Sequence, residues 1–221
     1  MLELEYGFRM EDDPAFPLCA DAVQLAHELS RELPENARVC ELGCGAGAVG
    51  LLLCAARSDA VYTGVELRPT AVELAVGNAE VNGIAGRFRV LCGDVRVIQS
   101  FLERESFDVV CSNPPYRKAG SGRLPQNKES AAACTEIAGS IRDFCHAAAY
   151  LLPHGGSFWT VYPPERLADL LAALREAHME PKELRFVHPN PQKSACMTVV
   201  RARRDGKPGL NVNAPLFLNN I

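Results

Sequence analysis

Short apolar runs alternate with longer segments of helical periodicity along most of the chain. Runs of five to seven residues, the length of buried strands, occur at 37–42, 60–66, 88–92, 107–112 and 157–161. A strand followed by a helix, repeated several times, is typical of a parallel sheet with helices on both faces. We therefore expect an α/β protein with a doubly wound, mostly parallel sheet.

The helices are predicted from capping residues and apolar spacing. Asp21 is placed to cap a helix that continues to about Glu32. Pro69 opens another helix at a first-turn position, where its missing N–H costs nothing. Two further helices are expected at about 128–152 and at 164–178.

The C-terminal part of the chain carries two more strand patterns, at 182–188 and 195–203. They are close enough in sequence to pair as an antiparallel hairpin at the edge of the sheet. With the five earlier runs they predict a seven-stranded sheet.

Size and composition limit the class of protein. At 221 residues, the chain is expected to form one domain, 1–221, with a substantial core. No apolar run approaches the length of a membrane span, and the first residues lack the pattern of a secretory signal. The nine cysteines form no Cys-x-x-Cys pair and mostly lie in apolar segments. We therefore expect buried, reduced thiols, no metal, no membrane contact and a cytoplasmic location.

Charge is distributed unevenly. The net charge is −4, which argues against indiscriminate coating of nucleic acid. Two segments are nevertheless basic: 117–128 has four cations and no acid, and 182–207 has seven cations against two acids. Such segments either grip a phosphate backbone locally or are solvated loops, and charge alone leaves both interpretations open.

The sequence Asn113-Pro114-Pro115-Tyr116 directly follows the apolar run 107–112. The Asn113 side-chain oxygen and the Pro114 carbonyl can accept the two hydrogens of a planar amine, and Tyr116 can lie against a flat base. The prolines stiffen the turn because each fixes its own φ. This order of residues after a strand favours methylation of an aromatic or amide nitrogen, with Asn113, Pro114 and Tyr116 as the catalytic residues.

A glycine-rich turn, Glu41-Leu42-Gly43-Cys44-Gly45-Ala46-Gly47, ends the first of these strands and opens a helix. Glycines allow a tight turn and close approach of a ligand. Glu66 ends the second strand, where a carboxylate can accept hydrogen bonds from a ribose diol. Asp94 follows the third strand and is placed to meet an adenine amino group.

Two cofactors fit such a turn, because Gly45-Ala46-Gly47-Ala48-Val49-Gly50 also satisfies the dinucleotide pattern. S-adenosyl-L-methionine is favoured, since Glu41 would repel a pyrophosphate but can help to position a cationic sulfonium. The four sites also follow successive strands in chain order, where doubly wound folds bind ligands. The predicted cofactor-binding residues are Glu41, Gly43, Gly45, Gly47, Glu66, Asp94 and Asn113.

With these residues placed, the chain resembles the class I S-adenosylmethionine-dependent methyltransferases, whose sheet is Rossmann-like. Among them it is similar, over nearly its whole length, to the bacterial tRNA (adenine-N6)-methyltransferases that act on valine tRNA beside the anticodon. The segment 16–26 resembles the part of that family that covers the cofactor, and 117–123 resembles its substrate loop. Ala133-Cys134-Thr135-Glu136 departs from the family's Ala-Arg-His-Glu pattern at Cys134 and Thr135, so the role of that Arg-His pair is not carried over to this chain.

The resemblance implies an RNA substrate whose adenine is turned out of its stack into the pocket. Residues 1–35 would then be a helical segment over the cofactor, and 117–127 would be the substrate loop. The substrate-binding residues implied are Tyr116, Arg117, Lys118 and Arg123, and the partner is tRNA or another structured RNA. Other acceptors stay open: a protein glutamine amide, guanine N2 in rRNA and, more distantly, the chemistry of an NAD(P)-binding oxidoreductase. The oligomeric state is not predicted.

Overall fold

The structure, a computed structural model, describes residues 1–13, 17–115 and 139–218. The helices are α1 (Ala20–Glu32), α2 (Ala48–Ala56), α3 (Pro69–Val81), α4 (Ile141–Leu151) and α5 (Leu167–Glu176), with 3₁₀ turns at Glu5–Gly7, Val95–Ser100 and Pro164–Arg166. Each of the described helices is too short or too polar to cross a bilayer.

The main strands are β3 (Arg38–Leu42), β4 (Val61–Glu66), β5 (Phe88–Cys92), β6 (Val109–Ser112), β7 (Ser157–Tyr162), β8 (Met179–His188) and β9 (Met197–Arg204). Four two-residue strands add to them: β1 (Leu2–Glu3), β2 (Arg9–Met10), β10 (Asn211–Val212) and β11 (Leu216–Phe217). β1 and β2 pair with each other only, so the N-terminal 35 residues are partly extended and not wholly helical as predicted.

The central sheet confirms the predicted fold class. Its order is β10-β8-β9-β7-β6-β3-β4-β5, with β11 also paired to β8. Strands β5, β4, β3, β6 and β7 run parallel in that order, and β9 is antiparallel to both of its neighbours. The predicted hairpin forms from β8 and β9. Its second strand lies inside the sheet, between β7 and β8, and two short strands beyond β8 bring the described sheet to nine strands.

Two predicted helix starts are wrong. The N-cap of α1 is Cys19 rather than Asp21, which instead lies in the first turn, where a negative charge is favourable. The helix predicted over 128–152 begins only at Ile141 among the described residues, because Ser140 and Asp143 form a reciprocal capping box. The stretch 128–138 lies outside the described residues.

Apolar side chains pack on both faces of the sheet and form two cores. On one face, Leu25 of α1 and Leu51 of α2 are fully buried in a cluster that includes residues of β3 and β4. On the other, Phe144 of α4 and Leu174 of α5 belong to a second cluster, which includes other residues of the same two strands. Burial on both faces is typical of parallel strands and explains why their sequences read as continuous apolar runs.

The described cysteines are all free thiols, as predicted. Five are buried and three exposed: Cys40, Cys44, Cys54, Cys111 and Cys145, against Cys19, Cys92 and Cys196. Burial raises the pKa of Cys54 to about 11, so this thiol stays protonated at neutral pH.

Candidate active site

The polar residues singled out in the sequence meet at one edge of the sheet. The strand register places Leu42 beside Val65 and Glu66 beside Cys92, so β3, β4 and β5 end level with one another. The end of β6 is tied to the end of β3, because the buried Ser112 hydroxyl donates to the Leu42 carbonyl at 2.7 Å. The carboxyl ends of the four strands therefore form a single crevice, where ligands bind in doubly wound sheets.

The glycine loop after β3 lies close to the sheet. The N–H groups of Gly43 and Cys44 both donate to the Val65 carbonyl, at 2.8 and 3.1 Å. Gly47 has φ +86°, and a Cβ there would lie 2.9 Å from the Phe88 ring. A side chain at Gly47 would therefore be strained both by its backbone conformation and by its neighbour.

Gly45 differs from Gly47 in its surroundings. Its φ is +54°, and a Cβ added there would have open space around it. Its N–H donates to Glu66 Oε2 at 2.9 Å, so the loop and the acid that ends β4 are directly linked. A ligand can thus approach the backbone at Gly45 without meeting a side chain.

Glu66 is a buried acid, 7% exposed. One carboxylate oxygen accepts from Gly45 N–H and the other accepts from Arg68 N–H at 2.9 Å. The Arg68 guanidinium lies 3.3 Å from the same carboxylate and also contacts Asp13 at 3.0 Å. The charge of Glu66 is thereby compensated within the fold.

Glu41 lies beneath the loop instead of in the crevice. It is 2% exposed, and the Tyr62 hydroxyl donates to its carboxylate. Burial raises the pKa of Glu41 to about 8, against the lowering effect of the Tyr62 hydrogen bond. Direct contact with a ligand stays a prediction, and the geometry favours support of the loop from below, since Gly50 N–H also bonds to this acid.

Asp94 caps the 3₁₀ turn that follows β5. Its carboxylate accepts from Arg96 N–H at 2.9 Å and forms an ion pair with the Arg96 guanidinium. Those hydrogen bonds hold the pKa of Asp94 below its ordinary value. Its preceding residue, Gly93, packs against Phe101, where a Cβ would approach the ring to 2.5 Å. Asp94 therefore lies in a tight turn next to the end of β4.

Asn113 presents an acceptor without a partner. Its Oδ1 is buried and has no hydrogen-bond partner within the described chain. Its Nδ2 lies 3.7 Å from the Cys19 sulfur, and the following Pro114 is buried. Leaving a buried amide oxygen unpaired costs about 1–3 kcal/mol, so such an atom requires an explanation.

Four predicted residues cannot be placed in this site. Tyr116, Arg117, Lys118 and Arg123 lie outside the described residues, as do Thr135 and Glu136. Their roles stay predictions.

Several residues that shape the crevice were not predicted. Arg68 forms ion pairs with both Asp13 and Glu66. Tyr62 donates a hydrogen bond to Glu41, and Cys19 lies beside Asn113. The signal available in the sequence was weak, because an arginine two positions after a strand acid and a tyrosine inside a strand are both common in surface and core roles.

The fold and the four strand-end loops define a class: this is the Rossmann-like architecture of methyltransferases that use S-adenosylmethionine. The family model for the methyltransferase small domain matches residues 21–178. The chain belongs to the methyltransferase small domain family.

Curated relatives fall into two groups. A tRNA1(Val) (adenine(37)-N6)-methyltransferase of Porphyromonas gingivalis is 30% identical over 132 residues, 59% of this chain and 51% of that protein. One from Pedobacter heparinus is 23% identical over 183 residues, 83% of this chain and 76% of that protein. A release factor glutamine methyltransferase of Salmonella typhimurium is 35% identical over 111 residues, 48% of this chain and 37% of that protein. The chain therefore spans about half or less of the first and third of these relatives.

Solved structures agree with the fold. A predicted O-methyltransferase from Agrobacterium tumefaciens has a TM-score of 0.73 at 25% identity, covering 90% of this chain and 87% of that one. TrmN from Thermus thermophilus has a TM-score of 0.59 at 21% identity, covering 83% of this chain and 48% of that one, and shows the fold alone.

The residues at the crevice fit S-adenosylmethionine, the cofactor of the family. The open space at Gly45 admits a ligand against the backbone. Glu66 offers a carboxylate acceptor at the end of β4, and Asn113 Oδ1, which has no hydrogen-bond partner among the described residues, offers another at the end of β6. These are polar groups suited to a ribose and to an amine, on neighbouring strand ends.

Proposed function

We propose that this chain transfers the methyl group of S-adenosylmethionine to the exocyclic N6 of an adenine in a tRNA anticodon loop. The observation that carries the proposal is the buried Oδ1 of Asn113 at the end of β6, which has no hydrogen-bond partner among the residues that the structure describes. An amine hydrogen from a base in the crevice would satisfy it. The tRNA1(Val) (adenine(37)-N6)-methyltransferases among the relatives support the choice of acceptor.

Asn113 and Pro114 have the same task in this proposal: to orient the amine. The Asn113 amide oxygen and the Pro114 carbonyl would accept the two N6 hydrogens and turn the nitrogen lone pair toward the cofactor. When bound, S-adenosylmethionine supplies an electrophilic methyl group. The nitrogen becomes acidic once it is methylated and would pass its proton to water, so the protein needs no strong general base. Alignment of the two reactants can contribute about 7–11 kcal/mol.

The cofactor roles follow from the same edge of the sheet. We assign the glycine loop, Gly43, Gly45 and Gly47, to close contact between its own backbone and the cofactor. We assign Glu66 to hydrogen bonds with the ribose diol. Asp94 would accept from the adenine amino group of the cofactor. Glu41 would act from below, because its carboxylate bonds to Tyr62 inside the core.

The residues proposed to bind the substrate lie outside the described part of the chain. We assign Tyr116 to stacking on the target base, and Arg117, Lys118 and Arg123 of the loop 117–127 to contacts with RNA phosphates. Base stacking on an aromatic ring is tolerant of sequence, so recognition of the tRNA would come from the shape of the loop.

A second candidate is methylation of a protein glutamine amide. The release factor glutamine methyltransferase of Salmonella typhimurium, 35% identical over 111 residues, favours it. A glutamine amide is also a planar nitrogen with two hydrogens, so Asn113 would serve either acceptor. The two candidates differ only in what surrounds the amine.

Methyl transfer from labelled cofactor to a mixture of total RNA and total protein separates the candidates. Nucleoside mass spectrometry is expected to find the label in N6-methyladenosine of the tRNA fraction. Label in protein glutamine would favour the second candidate, and label in N2-methylguanosine would reject both. Asn211→Ala is the matched control for a substitution of Asn113. It changes an exposed asparagine at the far edge of the sheet and is expected to keep full activity.

A further inference from the structure

Residues 9–13 lie along α3 and are fixed there by two asparagine side chains. Asn78 accepts from Glu11 N–H at 2.7 Å and donates to the Glu11 carbonyl at 3.0 Å. Asn82 forms the same two bonds with Arg9, at 2.8 and 2.6 Å. The asparagines are one helical turn apart, so they hold alternate residues of the extended segment as a neighbouring strand would. We call residues 9–13 the N-terminal strap.

The strap ends at the acid assigned to the ribose. The Asp13 carboxylate lies 3.0 Å from Arg68 Nη1, and Arg68 Nε lies 3.3 Å from Glu66 Oε1. The side chains of Asp13, Arg68 and Glu66 are only 10%, 18% and 9% exposed. Charges that are partly buried are screened much less by salt and water than surface charges. The three groups therefore interact strongly enough to set one another's positions.

The described hydrogen bonds of Glu66 leave room for a ribose hydroxyl. A carboxylate has about four acceptor positions, two on each oxygen. Oε1 accepts from Arg68 N–H and also faces Arg68 Nε at 3.3 Å. Oε2 accepts from Gly45 N–H and has a further position for a ribose hydroxyl. That position serves the ribose only if the carboxylate keeps this orientation.

Arg68 is the group that holds this orientation. It is the cation between two acids, and its planar guanidinium meets each of them with a different nitrogen. Without Arg68, Glu66 would be a buried carboxylate that has lost its cation and is free to turn away from the crevice.

We propose that Arg68 is a positioning residue that holds the Glu66 carboxylate for the ribose of the cofactor, and that Asp13 couples the N-terminal strap to this carboxylate. Attachment of the strap and binding of the cofactor then depend on one chain of ion pairs. This inference rests on the ribose role proposed for Glu66 and adds a residue pair that acts through it.

A double-mutant cycle on the full chain tests the coupling, with calorimetric binding of S-adenosylhomocysteine as the readout. Glu66→Gln is expected to raise Kd about 10- to 100-fold, the effect of losing hydrogen bonds to a charged group. Arg68→Ala is expected to raise it about 5- to 20-fold. The double variant should bind no worse than Glu66→Gln alone. Residues that act as a unit are non-additive in this way.

Different failures have different meanings. Unchanged binding of S-adenosylhomocysteine in Glu66→Gln would reject the ribose role of Glu66. Additive losses of affinity in the double variant would reject only the positioning role of Arg68 and leave the ribose role intact. If Arg68→Ala does not fold, Asp13→Asn replaces it, with an expected rise in Kd of about 3- to 10-fold and the same non-additivity with Glu66→Gln.

A control pair separates positioning from general stability. Arg57 and Asp59 form an ion pair at 2.9 Å, at the opposite end of β4 from Glu66. Asp59→Asn is expected to lower the melting temperature without changing Kd. An equal rise in Kd for Asp59→Asn and Asp13→Asn would mean that Asp13 affects binding only through general stability, and this result would overturn the proposal.

Discussion

The two halves of the sheet carry comparable polar residues but use them differently. At the edge formed by β3, β4, β5 and β6, a few groups converge on one crevice, and Asn113 Oδ1 has no partner within the described part of the chain. In the β8–β9 hairpin, arginines are more numerous, yet Arg201 pairs with Glu183 at 2.7 Å and Arg185 with Glu28 at 3.0 Å. Position at the carboxyl end of a parallel strand therefore identifies the site better than the density of charge.

The difference also bears on the two basic segments of the sequence. In 182–207, three of the seven cations, Arg185, Arg201 and Arg204, pair with acids of the fold, the last with Glu105 at 3.0 Å. For these three the structure favours internal pairing over a phosphate-binding patch. The segment 117–128 lies outside the described residues, and its role stays a prediction. The basic residues of the two segments are thus expected to respond differently to substitution.

The largest effect is expected at Asn113. Asn113→Ala removes the acceptor that orients the amine, and turnover should fall about 100-fold or more, as when one preorganised hydrogen-bonding group is removed from an active site. Binding of S-adenosylhomocysteine should stay within about twofold, because the glycine loop, Glu66 and Asp94 lie on other strand ends. A larger loss would show that Asn113 also makes the cofactor contact expected from the sequence. Single-turnover methylation together with calorimetry measures both. Unchanged turnover would remove Asn113 from the mechanism.

The glycine loop should respond mainly in cofactor binding. Gly47→Ala places a Cβ at φ +86° and against Phe88, at a cost of about 1–2 kcal/mol for the backbone alone. We expect a rise in Kd for S-adenosylhomocysteine of about tenfold and a lower melting temperature. Gly83→Ala is the matched control, since it also has positive φ but an open surrounding. Equal effects on Kd would contradict the special role of the loop.

The buried acid beneath the loop should give a pH signature. The pKa of Glu41 is raised from 4.5 to about 8, so the folded protein binds a proton that the unfolded chain has lost. Stability from this group is therefore lost progressively as the pH rises from about 4.5 to about 8, by at most about 1.4 kcal/mol per pH unit. Urea unfolding at several pH values measures the free energy of unfolding, and its decrease between about pH 4.5 and 8 should be missing in Glu41→Gln. Parallel profiles for the two proteins would mean that Glu41 is charged throughout.

The smallest effect is expected in the hairpin. Arg185→Gln removes the partner of the buried Glu28, which also contacts Arg31 at 3.3 Å, and should cost about 1 kcal/mol of stability. RNA binding and its dependence on salt should not change, whereas Arg117→Gln should reduce the salt slope by about 0.7. Filter binding at several salt concentrations compares them. A reduced slope for Arg185→Gln would restore the phosphate-binding interpretation of the hairpin.

Local patterns made the fold predictable. The strands β3, β4, β6 and β7 are buried along nearly their whole length, so each appears as an apolar run, and Pro69 marks the start of α3 as predicted. The insertion of β9 between β7 and β8 was not predictable, because pairing order within a sheet depends on tertiary packing.

The site was predictable only where it follows strand ends. Gly45, Glu66 and Asn113 lie at the ends of the strands β3, β4 and β6, and these positions allowed them to be proposed from the sequence. The link from Asp13 to Arg68 joins residues 55 positions apart and carries no local signal. The burial of Glu41 is also a tertiary effect, since it depends on Tyr62 of the neighbouring strand.

A crystal structure of the chain with S-adenosylhomocysteine and adenosine tests the central claim most directly. We expect the adenosine N6 about 3 Å from Asn113 Oδ1 and the cofactor ribose hydroxyls about 2.7 Å from the Glu66 carboxylate. A nucleoside bound away from Asn113, with its Oδ1 still unpaired, would contradict the account.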